Sequence, residues 1–183
     1  LRHPARRFQP EDITAGMIRR TNLELSACIV VYNGCDEALK AAQTVLQYTR
    51  RHPLTLYLVD NASPDGSGAR LEAAVKGGAL STQPGQKVEV RCRKENGGFG
   101  TGHNTVLPEL TSDYHFILNP DIQLTADTLS DLADWMAVHP DAVMARPGLC
   151  FPGWPSPEPA AAALCAAAYG LPPAAVFEIL GEI

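Results

Sequence analysis

The chain lacks three features that would each have pointed to a class: an excess of positive charge, a long apolar run and a paired-cysteine motif. Fifteen Lys and Arg against twenty Asp and Glu leave a net charge of −5. That argues against a nucleic-acid binder, because phosphate backbones are held by basic surfaces. No apolar run reaches the ~20 residues of a membrane-spanning helix. The first twenty residues are basic and interrupted by Pro4 and Pro10, which does not read as a signal peptide. The five cysteines (Cys28, Cys35, Cys92, Cys150, Cys165) include no C-x-x-C pair, so no zinc site is expected. Odd in number and scattered, they read as free thiols of a reducing compartment, mostly filling the core. The expected location is cytoplasmic, at most peripheral at the inner membrane face.

What is present is a globular pattern. The 183 residues, 45% hydrophobic and 19% charged, suffice for one core and a small appendage. Residues 1–24 carry Arg2, Arg6, Arg7, Arg19 and Arg20 without a stable period and read as an arm, with Met17 a natural start. From Leu25 the chain alternates. Short apolar runs at 25–32, 54–60 and 114–118 read as strands, the first of the buried parallel type, and 87–93 alternates as a further strand. Helical patterns follow them: 36–51 with Asp36 as N-cap and Leu39, Ala42 and Leu46 on one face; 67–76; 101–110; and 125–139 with Thr125 as cap and Leu129, Leu132, Trp135 and Met136 as its stripe. Four strand–helix units predict an α/β fold, a three-layer α/β/α domain over 25–146 with a mostly parallel sheet. Residues 147–183 are proline-rich and then alanine-rich, and depart from the alternation.

Parallel sheets of this type bind ligands beyond the carboxyl ends of their strands, and each of the four strands ends in polar or glycine-rich residues. These are Tyr32-Asn33; Asp60-Asn61-Ala62-Ser63; Glu95-Asn96-Gly97-Gly98-Phe99-Gly100 with Asn104 in the following helix; and Asn119-Pro120-Asp121. A turning aspartate at Asp60, a flexible turn at the glycines and a strand-ending Pro-Asp are the bland accounts of each taken singly. His103 reads as a polar helix residue and not a ligand.

Taken together and in this order, the four motifs resemble those of inverting family-two glycosyltransferases of the GT-A fold, in particular the rhamnosyltransferase-like branch. The likeness covers residues 25 to about 145. It implies a nucleoside-diphosphate sugar as donor, dTDP-rhamnose or a UDP-sugar favoured, and a glycan or lipid-linked glycan as acceptor, as in polysaccharide biosynthesis. Tyr32, Asn33, Asp60, Asn61, Asn96, Gly97, Gly98, Asn104 and Asn119 would then bind the donor. Asp121, in the place of the family's D-x-D carboxylate, would hold Mg2+ or Mn2+ against the diphosphate. The catalytic base stays unassigned: the family carries it in its acceptor half, and after residue 145 only Glu158, Glu178 and Glu182 remain. A truncated, non-catalytic donor-binding fragment is therefore the alternative. A homodimer is compatible with a truncated sheet edge.

Other nucleotide folds fit less well. A dinucleotide fingerprint would need glycine where His103 stands, and the loop follows the third strand, not the first. No Gly-Lys-Ser/Thr follows the glycines, and Gly66-Ser67-Gly68 lacks the spacing of a nucleophile elbow.

Overall fold

The computed structural model describes residues 23–138. The chain order is β1 (Leu25–Val31), α1 (Cys35–Tyr48), β2 (Leu54–Asp60), α2 (Ser67–Lys76), β3 (Gln86–Cys92), α3 (Gly98–Asn104), a 3-10 turn (Leu107–Glu109), β4 (Tyr114–Leu118) and α4 (Thr128–Val138). All four strands are parallel, in the spatial order β3-β2-β1-β4. This is the expected three-layer α/β/α domain.

Every residue of β1 is buried, as its unbroken apolar run requires of a strand covered on both faces. Its alternate residues supply two different layers. Leu25, Ala27, Ile29 and Val31 join Leu54, Leu56 and Leu58 of β2 beneath α1, α2 and α4, where Ala38, Ala42, Val45, Leu46, Leu71, Leu129 and Ala133 close the cluster. Burial of a leucine of this kind stabilises by about 1.5–3 kcal/mol. The opposite layer is smaller: Cys28, Val30, Tyr57 and Val59 under Val106, with Leu110 partly buried beside them. Here α3 approaches β1 so closely that a Cβ on Gly102 would stand 2.6 Å from Val30 Cγ1. Only glycine fits between helix and strand at that point.

Several boundaries differ from the sequence reading. Helix α1 starts at Cys35, with Gly34 in left-handed geometry at its N-cap position and no side-chain cap. Asp36 therefore lies in the first turn and pairs with Arg70. The helix ends at Tyr48, well before Pro53. Helix α4 begins at Thr128, not Thr125, and the carbonyl of Asp127 accepts its first backbone bond, from Asp131. Of its expected stripe, Leu129 and Leu132 are buried, while Trp135 and Met136 are only partly so. The glycine-rich stretch does not precede a helix; from Gly98 on it forms the helix, which ends at Asn104. Leu23, read as part of the arm, packs into the core at 1% exposure. Residues 1–22 of the arm, the tail from 147, Cys150 and Cys165 lie outside the described residues. Cys28 and Cys35 are buried free thiols, whereas Cys92 is exposed. Among the described residues no helix is long and apolar enough to cross a membrane.

The segment that connects β4 to α4 is tied to α1 and to the corner after it. Leu124 N–H donates to Thr44 Oγ1 at 3.1 Å, and Arg50 N–H to Asp127 Oδ2 at 3.2 Å. Arg51 pairs with Asp127, Asp131 and Asp134, and His52 Nε2 lies 3.0 Å from Asp134. The Asn119–Asp121 turn is thus held at one end by β4 and at the other by this network.

Candidate functional site

Strand β1 sits between β2 and β4, so the chain leaves it toward one side of the sheet and returns on the other. The tips of β1 and β4 therefore mark the switch point, where α/β sheets open a crevice. A cleft of about 560 Å3 lies there. Tyr32, Asn33 and Gly34 line it from β1, Asn61 from β2, Asn96, Gly98 and Phe99 from the glycine-rich turn, and Asn119, Pro120 and Asp121 from β4. All four strand-tip motifs meet in it. A smaller cavity of about 170 Å3, among Glu24, Ser26, Tyr57 and Ser112, lies at the opposite end of the strands.

Local geometry explains why these residues occupy the tips. Asn33 takes a left-handed φ of 61° and Gly34 one of 76°, which turns the chain from β1 directly into α1. Ala62 shares φ 61°, a conformation that costs a non-glycine residue roughly 1 kcal/mol or more and tends to occur at functional loops. Ser63 bridges the two tips. Its Oγ accepts from Asn33 N–H at 2.9 Å, and its own N–H donates to Asp60 Oδ2 at 3.2 Å.

Asp60 is 5% exposed and is not among the residues lining the cleft. Its carboxylate lies against Gly68, at the start of α2, and the Cys92 thiol. Oδ2 serves the Ser63 loop, while Oδ1 is buried without a partner. A neighbouring carboxylate, Asp65, is held below its usual range by its bonds to Ser67.

Asn61, 2% exposed, is the hub of the second and third tips. Its Nδ2 donates to Asn96 Oδ1 at 2.8 Å and to the Gly98 carbonyl at 3.1 Å. Its Oδ1 accepts from Arg93 Nη1 at 2.6 Å and from Gly97 N–H at 3.4 Å. Asn96 Oδ1 also accepts from Gly98 N–H at 2.8 Å, with Gly98 at φ 83°, a geometry glycine adopts without strain.

Asp121 is exposed at the rim, and among the described residues its carboxylate has no hydrogen-bond or ion-pair partner. Asn119, partly buried, faces the same cleft. Gly97 and Asn104 do not line it; Asn104 is exposed at the far end of α3. Five lining residues were not singled out in the sequence: Phe99 and Pro120, which sit inside the quoted motifs, and Val30, Gly34 and Glu37, which do not. Phe99 is 49% exposed and meets His103 edge-on, with ring centroids 4.3 Å apart. Glu37 sits in the first turn of α1, and its spacing from Tyr32-Asn33 was the only signal available.

His103 points into the sheet, 4% exposed, with neither ring nitrogen bonded. Burial, with a smaller contribution from His115, pushes it down to about 4. It is a neutral packing residue at neutral pH.

Comparison with known proteins bears on the fold and the family. No curated protein matches the sequence. The fold resembles a mannosyltransferase from Pyrobaculum calidifontis solved with GDP-Man and Mn2+, with a TM-score of 0.58 at 18% identity over 73% of this chain and 36% of that one. It also resembles residues 1–349 of S. aureus TarS solved with UDP, with a TM-score of 0.58 at 17% identity over 74% of this chain and 38% of that one. At such identities the likeness speaks for the fold, and the chain spans well under half the length of either structure. Residues 26–164, most of the chain, match Glycosyl transferase family 2, and to that family the chain belongs.

Proposed function

We propose that the cleft binds a nucleoside-diphosphate sugar together with a divalent cation, for transfer of the sugar to a glycan acceptor with inversion. The observation that carries this reading is the convergence of all four strand tips on one cleft, with the unpartnered Asp121 carboxylate at its rim. Tyr32, Asn33, Asn96, Gly98 and Asn119 line the cleft and would contact the donor. Asp60, buried and not lining the cleft, would support the donor site from behind through its bond to the Ser63 loop.

The residues present suit the cation. Mg2+ and Mn2+ take hard oxygen ligands, and Mg2+ is commonly held by one or two carboxylates plus substrate phosphates and water. A single free carboxylate beside a carboxamide fits that pattern, and among the described residues no group of three metal-ligating side chains exists to hold the ion without a ligand. Bound there, the ion offsets charge that develops on the departing nucleoside diphosphate. Asp121 would hold it, with Asn119 orienting a phosphate, ribose or water. dTDP-rhamnose and UDP-sugars are the donors the motif pattern favours, and the pyrophosphate-bearing GDP-Man and UDP complexes of the structural neighbours support the ligand class.

Calorimetric titration of UDP-, GDP- and dTDP-sugars with Mn2+ tests the reading. At least one should bind, with affinity falling about tenfold or more in Asp121→Ala, equivalent to roughly 1.4 kcal/mol. Binding that ignores both Mn2+ and Asp121→Ala would refute the metal assignment.

A second reading, donor binding without turnover, is favoured by one observation. With Asp121 assigned to the cation, Glu37 is the one other carboxylate that lines the cleft among the described residues, and the general base that the family resemblance implies belongs to the acceptor half. A transfer assay alongside donor hydrolysis separates the two readings.

A further inference from the structure

The sequence motif invites the view that Asn61 touches the donor. Its hydrogen bonds argue otherwise. A carboxamide has two N–H donors and an oxygen with two lone pairs, and the bonds already described occupy all of them: two donated, to Asn96 Oδ1 and the Gly98 carbonyl, and two accepted, from Arg93 Nη1 and Gly97 N–H. The residue is 2% exposed. A ligand could bond to it only by breaking one of these contacts.

Arg93 secures the hub from below. Its own N–H donates to the Asp60 carbonyl at 2.9 Å, which fixes the end of β3 to the tip of β2. Its guanidinium packs so tightly under the turn that a Cβ on Gly97 would stand 2.9 Å from Nη2 and 3.0 Å from Nη1. No carboxylate pairs with it among the described residues. A bond from a charged donor is roughly twice as strong as one between neutral groups, so this contact is the strongest that Asn61 makes. The other cationic side chains of β3 are engaged elsewhere: Lys87 with Glu89, and Arg91 with Glu89 and Glu109.

We propose that Asn61, locked by Arg93, is a positioning residue that holds the glycine-rich turn in the shape the ligand meets, and that neither side chain is the donor's recognition contact. Short-lived bonds to water would otherwise leave Asn96 to Gly98 to sample many conformations, since two glycines in succession carry high backbone entropy. The clamp removes that freedom before ligand arrives, and preorganisation of this kind raises affinity without adding a contact. The proposal rests on the donor-site reading only for the identity of the ligand.

Amide hydrogen exchange followed by NMR on the whole chain, without ligand and then with UDP, GDP or dTDP plus Mn2+, tests it. In the unliganded wild type, the Gly97 and Gly98 amides should be protected. In Asn61→Ala they should exchange about tenfold or more faster, the effect of losing one or two net hydrogen bonds. Amides of β1 and β2 should keep their wild-type rates, and saturating nucleotide should restore protection to the turn. Asn61→Asp keeps the acceptor for Arg93 but loses both donors, so it should loosen the turn while leaving the fold intact. Arg93→Met should loosen it less, and Arg93→Lys, which keeps a charged donor, less again. Nucleotide affinity should fall in the same order as the exchange rates rise. Weakened binding with an unchanged turn would overturn the proposal and make Asn61 a direct contact. A turn that loosens as described in a chain that binds none of the three nucleotides would uphold the clamp and refute the donor reading.

Discussion

On one face of the sheet, α1, α2 and α4 close over an apolar layer that runs from Leu25 to Ala133; on the other, α3 and a single 3-10 turn cover Cys28, Val30, Tyr57 and Val59 and leave Ile117 of β4 at 59% exposure. The thick face holds His52, whose Nδ1 is unpartnered but whose Nε2 lies 3.0 Å from Asp134. The thin one holds His103, with neither nitrogen bonded, and His115, whose Nε2 is unpartnered while Nδ1 lies 2.7 Å from Ser26 Oγ. The helix that covers the thin face is also the one that presents the glycine-rich turn to the cleft. Stability is therefore concentrated opposite the layer that shapes the site, in keeping with the tendency of binding elements to come from the less stable parts of a fold.

Three changes would sharpen or break that contrast. The largest effect should come from Leu58→Ala, which opens a cavity in the thick layer and should cost about 2–5 kcal/mol, read as a shift in the urea midpoint. A loss no greater than that of Val59→Ala on the other face would show the two layers to be equivalent. Next, Gly102→Ala drives a methyl into Val30 and should cost about 1–3 kcal/mol by overpacking. Because α3 is displaced, nucleotide binding should suffer more than the global unfolding midpoint. Equal losses would mean that α3 is as integral to the core as α1.

The smallest effect concerns pH. His103 is held down to about 4 by burial, and His115 is lowered by the same cause. Between the ordinary histidine value near 6.5 and about 4, the unfolded chain takes up protons that the folded chain refuses, so stability should be full above 6.5 and decline as pH falls through this window. His103→Leu should be neutral or slightly stabilising at pH 7, since it removes an unpaired buried polar group. It should also flatten the decline, leaving the part due to His115. An unaltered slope in urea melts at pH 7 and pH 5 would locate the acid sensitivity elsewhere.

Much of this contrast was legible in the residues. The unbroken apolar runs of β1 and β2 announced strands covered on both faces, and the motif at each strand tip announced a shared crevice. What escaped is what depends on contacts distant in sequence. Asp36 and Thr125 have the chemistry of caps, yet Gly34 and the carbonyl of Asp127 open those helices, because the turn after β1 and the tie from Arg50 and Arg51 to Asp127 set where the helices begin. The glycine-rich stretch reads as loop by propensity. It forms α3 because Gly102 lets the backbone sit on Val30 and gain packing that propensity does not see. Val30 and Glu37 belong to none of the four motifs, and only folding brings them to the cleft. The roles of Asn61 and Arg93 were equally hidden, since a side chain's spare bonding capacity cannot be counted until its partners are known.

The placement of β1 has a consequence for how the molecule is made. Among the described strands, the first to be synthesised is the one that lies in the middle, paired in register with Leu54–Asp60 on one side and Tyr114–Leu118 on the other. Its second partner emerges some eighty residues later, and pairings so remote in sequence form slowly. Until Leu118 is synthesised, the most apolar segment of the domain presents an open flank, so the nascent chain is most prone to aggregate in that interval, and a chain stopped short of β4 would retain that liability permanently.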